Sequence, residues 1–227
     1  MTLLRKTPWD KRNFNIETYE LSNSSPEALQ ETDELEGHFT LKMDPKEKNK
    51  DILEHGFYYV DTLLEPVCKE EQLNLFTNER AHLSASYPAD EIDEIARSVF
   101  DFGRFHRDFN IPDTLADLRY LNWVRDLKEE NLLFGLYWDD ELAGFYGYKD
   151  NQVLLLGIKE AFRGKGLAKL FTSQACDAQF KLGHNRLKTS ISASNAPSLN
   201  VFYSLGFRLA GAVDVYHKLN GPRPEEG

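Results

Sequence analysis

Apolar residues recur at helical spacing through the middle of the chain, then alternate or run together in the last third. Ala89–Phe102 sets Ile92, Ile95, Ala96, Val99 and Phe100 on one face, and Pro88 suits a first helical turn. Leu115, Leu118, Leu121, Val124 and Leu127 make a second stripe extending to about Lys128. Thr114 followed by Asp117 resembles a capping box for that helix. Strand texture follows in Leu132–Trp138 and Leu142–Tyr148, joined through Asp139-Asp140-Glu141, and in the apolar run Val153–Ile158. Gly166–Lys181 predicts a helix that buries Leu167, Leu170, Phe171, Ala175 and Ala178 and stops at Gly183. Leu187–Ser192 reads as a strand, Pro197–Leu205 as a short helix broken by Gly206, and Phe207–Leu219 as a strand pair or one bent strand.

The first third is less regular. Thr7–Tyr19 reads as an irregular or short-strand segment, Ser22–Pro26 as a turn, and Gly37–Met43 as a strand. Asp44-Pro45 is placed to cap a short helix running toward His55 and stopping at Gly56, after which Phe57–Leu63 has strand character. The same order of strand, capped short helix, glycine and strand recurs from Lys188 through Asn195 to Gly206-Phe207. The first third therefore reads as a degenerate half-copy of the end of the chain. Alternating strands and helices make the fold class mixed α/β.

Composition narrows the function classes. With 27 Lys+Arg against 37 Asp+Glu, the 227-residue chain carries a net charge of −10, which argues against broad nucleic-acid binding. No apolar run approaches the ~20 residues that span a bilayer, so no membrane partner is expected. The start lacks the pattern of a secretory signal. Cys68 and Cys176 stand far apart, which excludes a CxxC zinc knuckle and suits a reducing, cytoplasmic setting. The six histidines show no zinc spacing, so no metal is expected.

Two segments carry candidate chemistry. Val153–Ile158 leads through Lys159-Glu160-Ala161-Phe162 into Arg163-Gly164-Lys165-Gly166-Leu167-Ala168: a strand, a tight two-glycine turn and a helix start. Free N–H groups and the positive end of the helix dipole favour an anion there, and Arg163 and Lys165 add positive potential. A tight loop with solvated basic residues is the plainer reading. The turn is neither a Walker loop nor a GxGxxG dinucleotide fingerprint. In the second segment, Asn195 can cap the short helix that carries Tyr203. A neutral phenol can protonate a developing thiolate, and it can equally be a packed ring whose hydroxyl meets water.

Taken together, Arg163–Ala168 and the Asn195…Tyr203…Gly206-Phe207 segment resemble the paired signatures of the GNAT superfamily of acyl-CoA-dependent N-acyltransferases, over roughly residues 131–219. The resemblance implies acetyl-CoA as cosubstrate, with pyrophosphate at Arg163, Gly164, Lys165, Gly166, Leu167 and Ala168. Pantetheine would run beside Leu155, Leu156 and Ile158, with Asn195 nearby. It further implies a backbone N–H near Leu155 or Leu156 on the thioester oxygen, and Tyr203 as the acid for the departing sulfur.

A narrower likeness, in Trp9-Asp10 with Phe14-Asn15-Ile16, Gly56–Thr62, Gly103–Asp108 and Val215–Lys218, is to the dTDP-fucosamine acetyltransferase branch. Asn15 stands where its opening motif commonly has glycine. This likeness implies a partial GNAT-like unit over 1–85, a complete acyltransferase domain over 86–220 and a polar tail over 221–227. The acceptor would be a nucleotide-linked 4-amino-4,6-dideoxy sugar, with Arg104, His106 and Arg107 placed to meet its diphosphate. Trp123, on the helical stripe, is the better bet for core packing than for stacking on a base. The other readings are acetylation of another small amine and an idle acyl-CoA-binding protein; a homodimer is left open.

Overall fold

The first helix forms where an irregular segment is expected, because Pro8 at its start brings a fixed φ and lacks an N–H that would be unpaired there anyway. The computed structural model describes residues 3–100 and 103–226. β1 (Leu4–Lys6), α1 (Pro8–Phe14) and β2 (Thr18–Leu21) open the chain. α1 ends on Asn15 at φ 53°, a left-handed conformation that asparagine tolerates better than most side chains.

The predicted Ser22–Pro26 turn is the entrance to α2 (Pro26–Glu34), where the Ser25 hydroxyl accepts the Ala28 N–H at 3.3 Å. β3 (Gly37–Met43) matches its expected span. Asp44-Pro45 makes a turn instead of capping a helix, because the Asp44 carboxylate accepts the nearby Lys46 N–H at 2.9 Å. The helix itself, α3 (Lys50–Glu54), begins later, and Gly56 at φ 79° turns the chain into β4 (Tyr58–Lys69).

After β5 (Ala81–Ser84) come α4 (Ala89–Ala96) and α5 (Asp113–Glu129). The predicted end of the first of these, Asp101-Phe102, lies outside the described residues, as does Gly227 at the end of the tail. No capping box forms on α5: Thr114 and Asp117 are inside the helix, and Asp117 instead meets the Nε2 of His106 at 3.0 Å. β6 (Leu133–Trp138), β7 (Glu141–Lys149), β8 (Gln152–Ile158) and α6 (Leu167–Phe180) follow the apolar pattern. The strand expected over Leu187–Ser192 is split into β9 (Arg186–Thr189) and β10 (Ile191–Ser192), before α7 (Ala196–Ser204) and β11 (Arg208–Asn220). The tail is more than solvated chain: Pro224 is buried, and Arg223 donates to Asn110 at 3.0 Å.

All the strands join one sheet in the order β1-β2-β3-β11-β4-β9-β8-β7-β6-β5, with β10 on β4. β11 runs antiparallel to both its neighbours, pairing along Asp214–Asn220 with β3 and along Arg208–His217 with β4. Each end of the chain thus inserts a strand into the other. Parallel pairing occurs twice, between β2 and β3 and between β8 and β9. α6 packs with Phe171, Ala175 and Cys176 on one sheet face, while α4 and α5 bury Ile92, Leu121 and Val124 with Phe145 and Leu155.

This interleaving makes a prediction. A chain cut to residues 86–220 loses β3 and β4, and so strips β11 of both hydrogen-bonding edges. It should show no cooperative thermal transition by circular dichroism where the full chain shows one. A sharp transition in the fragment would contradict the interleaved account.

Candidate functional site

β8 and β9 start side by side and then part. Their parallel register covers only Gln152↔Lys188 and Val153↔Thr189. Across β8, Gly147 and Tyr148 of β7 face Leu155 and Val153, so Leu154 is a bulge that turns the strand at the point of separation. The gap opens into a cavity of about 620 Å³. Leu154, Leu155, Leu156 and Ile158 line one side and Ser190, Ile191 and Ser192 the other.

Of the residues expected to meet a cofactor, Leu155, Leu156, Ile158, Arg163, Ala168 and Asn195 line this cavity. Gly164, Lys165, Gly166 and Leu167 are not among its lining residues; Leu167 is buried in the core, and Lys165 Nζ lies 5.7 Å from the Phe162 ring. The turn is nevertheless shaped for close approach. Gly164 and Gly166 adopt φ 71° and 76°, and a Cβ on either would meet no protein atom within 4 Å. No side chain caps α6, so its first N–H groups are left facing outward. Arg163 fixes the turn by donating to the carbonyls of Ile158 at 2.9 Å and Ser98 at 3.0 Å. Asn195 caps α7, accepting the Ser198 N–H at 3.1 Å.

Tyr203 does not join this group. Val201 and Phe202 line the cavity, and Phe202 is buried against Phe207 with ring centroids 4.9 Å apart. Tyr203, one residue and about 100° further round the helix, is not among the lining residues.

The far end of the cavity is built from parts that sequence reasoning did not assemble. Lys42 of β3, Asp61 of β4, Arg104, and Arg119 and Tyr120 of α5 all line it. Asp61 is fully buried. One of its oxygens, Oδ1, accepts from Ser192 Oγ at 2.9 Å and from Arg107 at 3.2 Å, while Oδ2 has no partner. Burial raises its pKa against the pull of Ser192 and Arg107. The Nε of Arg104 is likewise buried without a partner. Burial, followed by the charge of Arg119, depresses the Arg104 pKa, and burial and Arg104 do the same to Lys42. An unpaired buried polar atom costs about 1–3 kcal/mol, so two of opposite charge in one cavity wall point to a ligand with complementary groups.

Of the three residues expected to meet a diphosphate, only Arg104 lines the cavity. Arg107 reaches Asp61, and His106 stacks on Tyr120 at 5.7 Å while meeting Asp117. Asp61 escaped sequence reading because its neighbours, Ser192 and Arg107, lie 131 and 46 positions away.

With the geometry in place, comparison with known proteins gives a consistent result. Residues 90–207 match the family model described as Acetyltransferase (GNAT) family. The chain is 31% identical over 97 residues to a mycothiol acetyltransferase of Corynebacterium efficiens, covering 40% of this chain and 32% of that protein. It is 26% identical over 110 residues to one of Corynebacterium glutamicum strain R, covering 46% and 36%. The match spans about a third of the length of these curated relatives. A GCN5-related N-acetyltransferase structure from Kribbella flavida superposes with a TM-score of 0.58 at 12% identity, over 90% of this chain and 82% of the other. At that identity the likeness is one of fold.

The loop that carries Arg104 is anchored by a buried hub. Asp108 Oδ2 meets His217 Nδ1 at 2.7 Å and His38 Nε2 at 2.8 Å, and Oδ1 accepts from Tyr58 OH at 2.7 Å and the Asn110 N–H at 2.9 Å. The sequence separates the two histidines widely; the pairing of β3 with β11 brings them together. His38, Asp108 and His217 have ligand-type atoms within 4.8 Å of one another and are the donor set a divalent metal would take. The hydrogen bonds that Asp108 takes from His38, His217, Tyr58 and Asn110 also satisfy the carboxylate without an ion.

Burial, and then the His38 charge, push His217 down from 6.5 to about 3, while both histidines hold Asp108 well below the usual carboxylate range against its own burial. Unfolded chains take up a proton at His217 that the folded chain refuses, so stability from this group falls as pH drops from about 6.5 toward 3, and Asp108 adds a loss below 3.8. The melting temperature should decline over that range, with a shallower slope in His217→Asn. Equal slopes would remove His217 from the account. EDTA should leave the melting temperature unchanged; a fall reversed by zinc would make the trio a metal centre.

Proposed function

The chain belongs to the GNAT acetyltransferase family, and from that premise we propose that it moves the acetyl group of acetyl-CoA onto the amine of a small acceptor that also bears a negative group. The observation that carries this reading is the pair of buried, unpartnered atoms, Asp61 Oδ2 and Arg104 Nε, on residues that line one cavity. That same cavity opens between β8 and β9.

In this reading pantetheine lies in the gap beside β8, and the N–H groups of the Arg163–Ala168 turn receive the pyrophosphate. An N–H of Leu155 or Leu156, past the end of pairing with β9, polarises the thioester oxygen. The acceptor arrives as an ammonium ion and gives one proton to Asp61. Its free nitrogen attacks the acetyl carbon, the carbon–sulfur bond breaks, CoA leaves as the thiolate, and the second proton of the nitrogen is lost to water to leave the neutral amide. Holding the nitrogen about 3–3.5 Å from that carbon supplies much of the rate, so no enzyme nucleophile is required. Phe202 rather than Tyr203 lines the cavity, so the sulfur takes its proton from water.

Arg104, with Lys42 and Arg119 nearby, supports an anionic group on the acceptor. A nucleotide-linked 4-amino-4,6-dideoxy sugar belongs to that class. The relatives named for mycothiol favour the broader reading of a small amine. An idle acyl-CoA-binding protein has no use for Asp61.

A base works only when deprotonated, so kcat/KM should fall as pH drops through the raised pKa of Asp61. Asp61→Asn should lose ~100- to 10,000-fold in kcat and that part of the pH profile, the usual weight of general base catalysis, while the Kd for acetyl-CoA holds. Tyr203→Phe should match the wild type in both rate and profile. A wild-type rate in Asp61→Asn would refute the assignment of the base.

A further inference from the structure

The strand whose departure opens the gap beside β8 also delivers a side chain to Asp61. Past Thr189 the chain leaves β8 and stays on β4 as β10, with Ile191 opposite Leu64 and Ser192 opposite Leu63. The Ala193 N–H extends that hold by donating to the Thr62 carbonyl at 2.8 Å. Asp61 lies two residues from Leu63 along β4, so Ser192 and Asp61 are diagonal neighbours on one face of the sheet. One divergence of strands therefore makes room beside β8 and sets Ser192 Oγ 2.9 Å from Asp61 Oδ1.

A hydroxyl offers one proton and two lone pairs. The proton of Ser192 goes to Asp61, because a carboxylate can only accept. Its lone pairs meet Ser194, whose N–H lies at 3.2 Å and whose hydroxyl lies at 2.7 Å. With the Ser192 proton committed, the Ser194 hydroxyl is the donor in that second contact. All three positions on Ser192 Oγ are filled, and it has none left for a ligand. Both side-chain partners of the carboxylate fall on Oδ1. Arg107 reaches it through a single bond at 3.2 Å from a side chain that is 37% exposed, whereas Ser192 is buried and makes the shorter bond. Oδ2 is left as the oxygen open to a proton.

We propose that Ser192 is a positioning residue of the transfer: it pins Oδ1 of Asp61 so that Oδ2 faces the acceptor amine and takes its proton. This rests on the reading of Asp61 as the base and adds the group that aims it. Ser192 also sets the strength of that base. Burial raises the Asp61 pKa, and Ser192 is foremost among the groups that pull it back, ahead of Arg107, the Thr62 backbone and Arg104. Lys42 of β3 and Arg119 and Tyr120 of α5 line the same end of the cavity, and the β11 residue opposite Asp61 is Val215, which does not titrate. A donated hydrogen bond favours the charged carboxylate, so its removal moves the pKa up.

The test titrates the Asp61 carboxyl by carbon NMR in the full chain labelled with carboxyl-enriched aspartate, its signal assigned by its loss in Asp61→Asn. In Ser192→Ala the midpoint should move up by about one to two pH units, the weight of one hydrogen bond to a charged group. Ser192→Thr keeps the hydroxyl and should titrate as the wild type does. Ser192→Cys fills the site with a weak donor and should move the midpoint the same way by less, which keeps the test decisive if the alanine variant does not fold. The acidic limb of kcat/KM, followed with glucosamine 6-phosphate as the amine and saturating acetyl-CoA, should move to higher pH in step with the carboxyl. A midpoint unchanged in both Ser192→Ala and Ser192→Cys would overturn the proposal while leaving Asp61 as the base. A shifted carboxyl with an unmoved limb would strike down the base reading, and the proposal with it.

Discussion

Everything at the acceptor end depends on β11 lying between β3 and β4. That pairing fastens the first third of the chain into the sheet and brings Lys42 and Asp61 to the cavity that the last third opens. It also sets His217 beside His38, so that Asp108 can close the hub and hold the loop bearing Arg104. The donor end, by contrast, is local: β8, the glycine turn and α6 are contiguous in sequence. The two substrates would therefore meet where two distant stretches of chain are hydrogen-bonded together.

Charge tells a related story. The chain as a whole is acidic, at −10, yet Lys42, Arg104 and Arg119 share one cavity end with Asp61. Burying like charges is costly, and the depressed pKa values of Lys42 and Arg104 reflect that cost. Asp10 and Glu20 offset part of it, through Arg119 and through Lys42 at 3.4 Å. An anionic acceptor would offset the rest, and a surface of opposite sign elsewhere would discourage other anions from lingering.

The C-terminal elements were legible because each is announced by local pattern: the stripe of Leu115–Leu127, the run Val153–Ile158, and the stops at Gly183 and Gly206. The β8 strand and glycine turn proposed for the donor side could be read for the same reason, since they lie in one contiguous stretch, Val153–Ala168. What escaped was non-local. α1 and α2 are short helices opened by proline, whose apolar residues are too few to set a period. Asp61 looks like any acidic strand residue until Ser192 and Arg107 arrive from far along the chain. The motif places aromatics at 202 and 203 of α7, and Phe202 is the one that lines the cavity, a matter of helical phase that a motif does not carry.

The central claim is that one continuous cavity receives acetyl-CoA from the β8–β9 gap and the acceptor from the Asp61 end. A crystal structure of the chain with CoA tests it most directly. The pantetheine should lie between β8 and β9, with the pyrophosphate at Arg163–Ala168. Its sulfur should point toward Asp61, with Lys42, Asp61 and Arg104 left uncovered. CoA lying across Arg104, or a sulfur closed off from Asp61, would contradict the account.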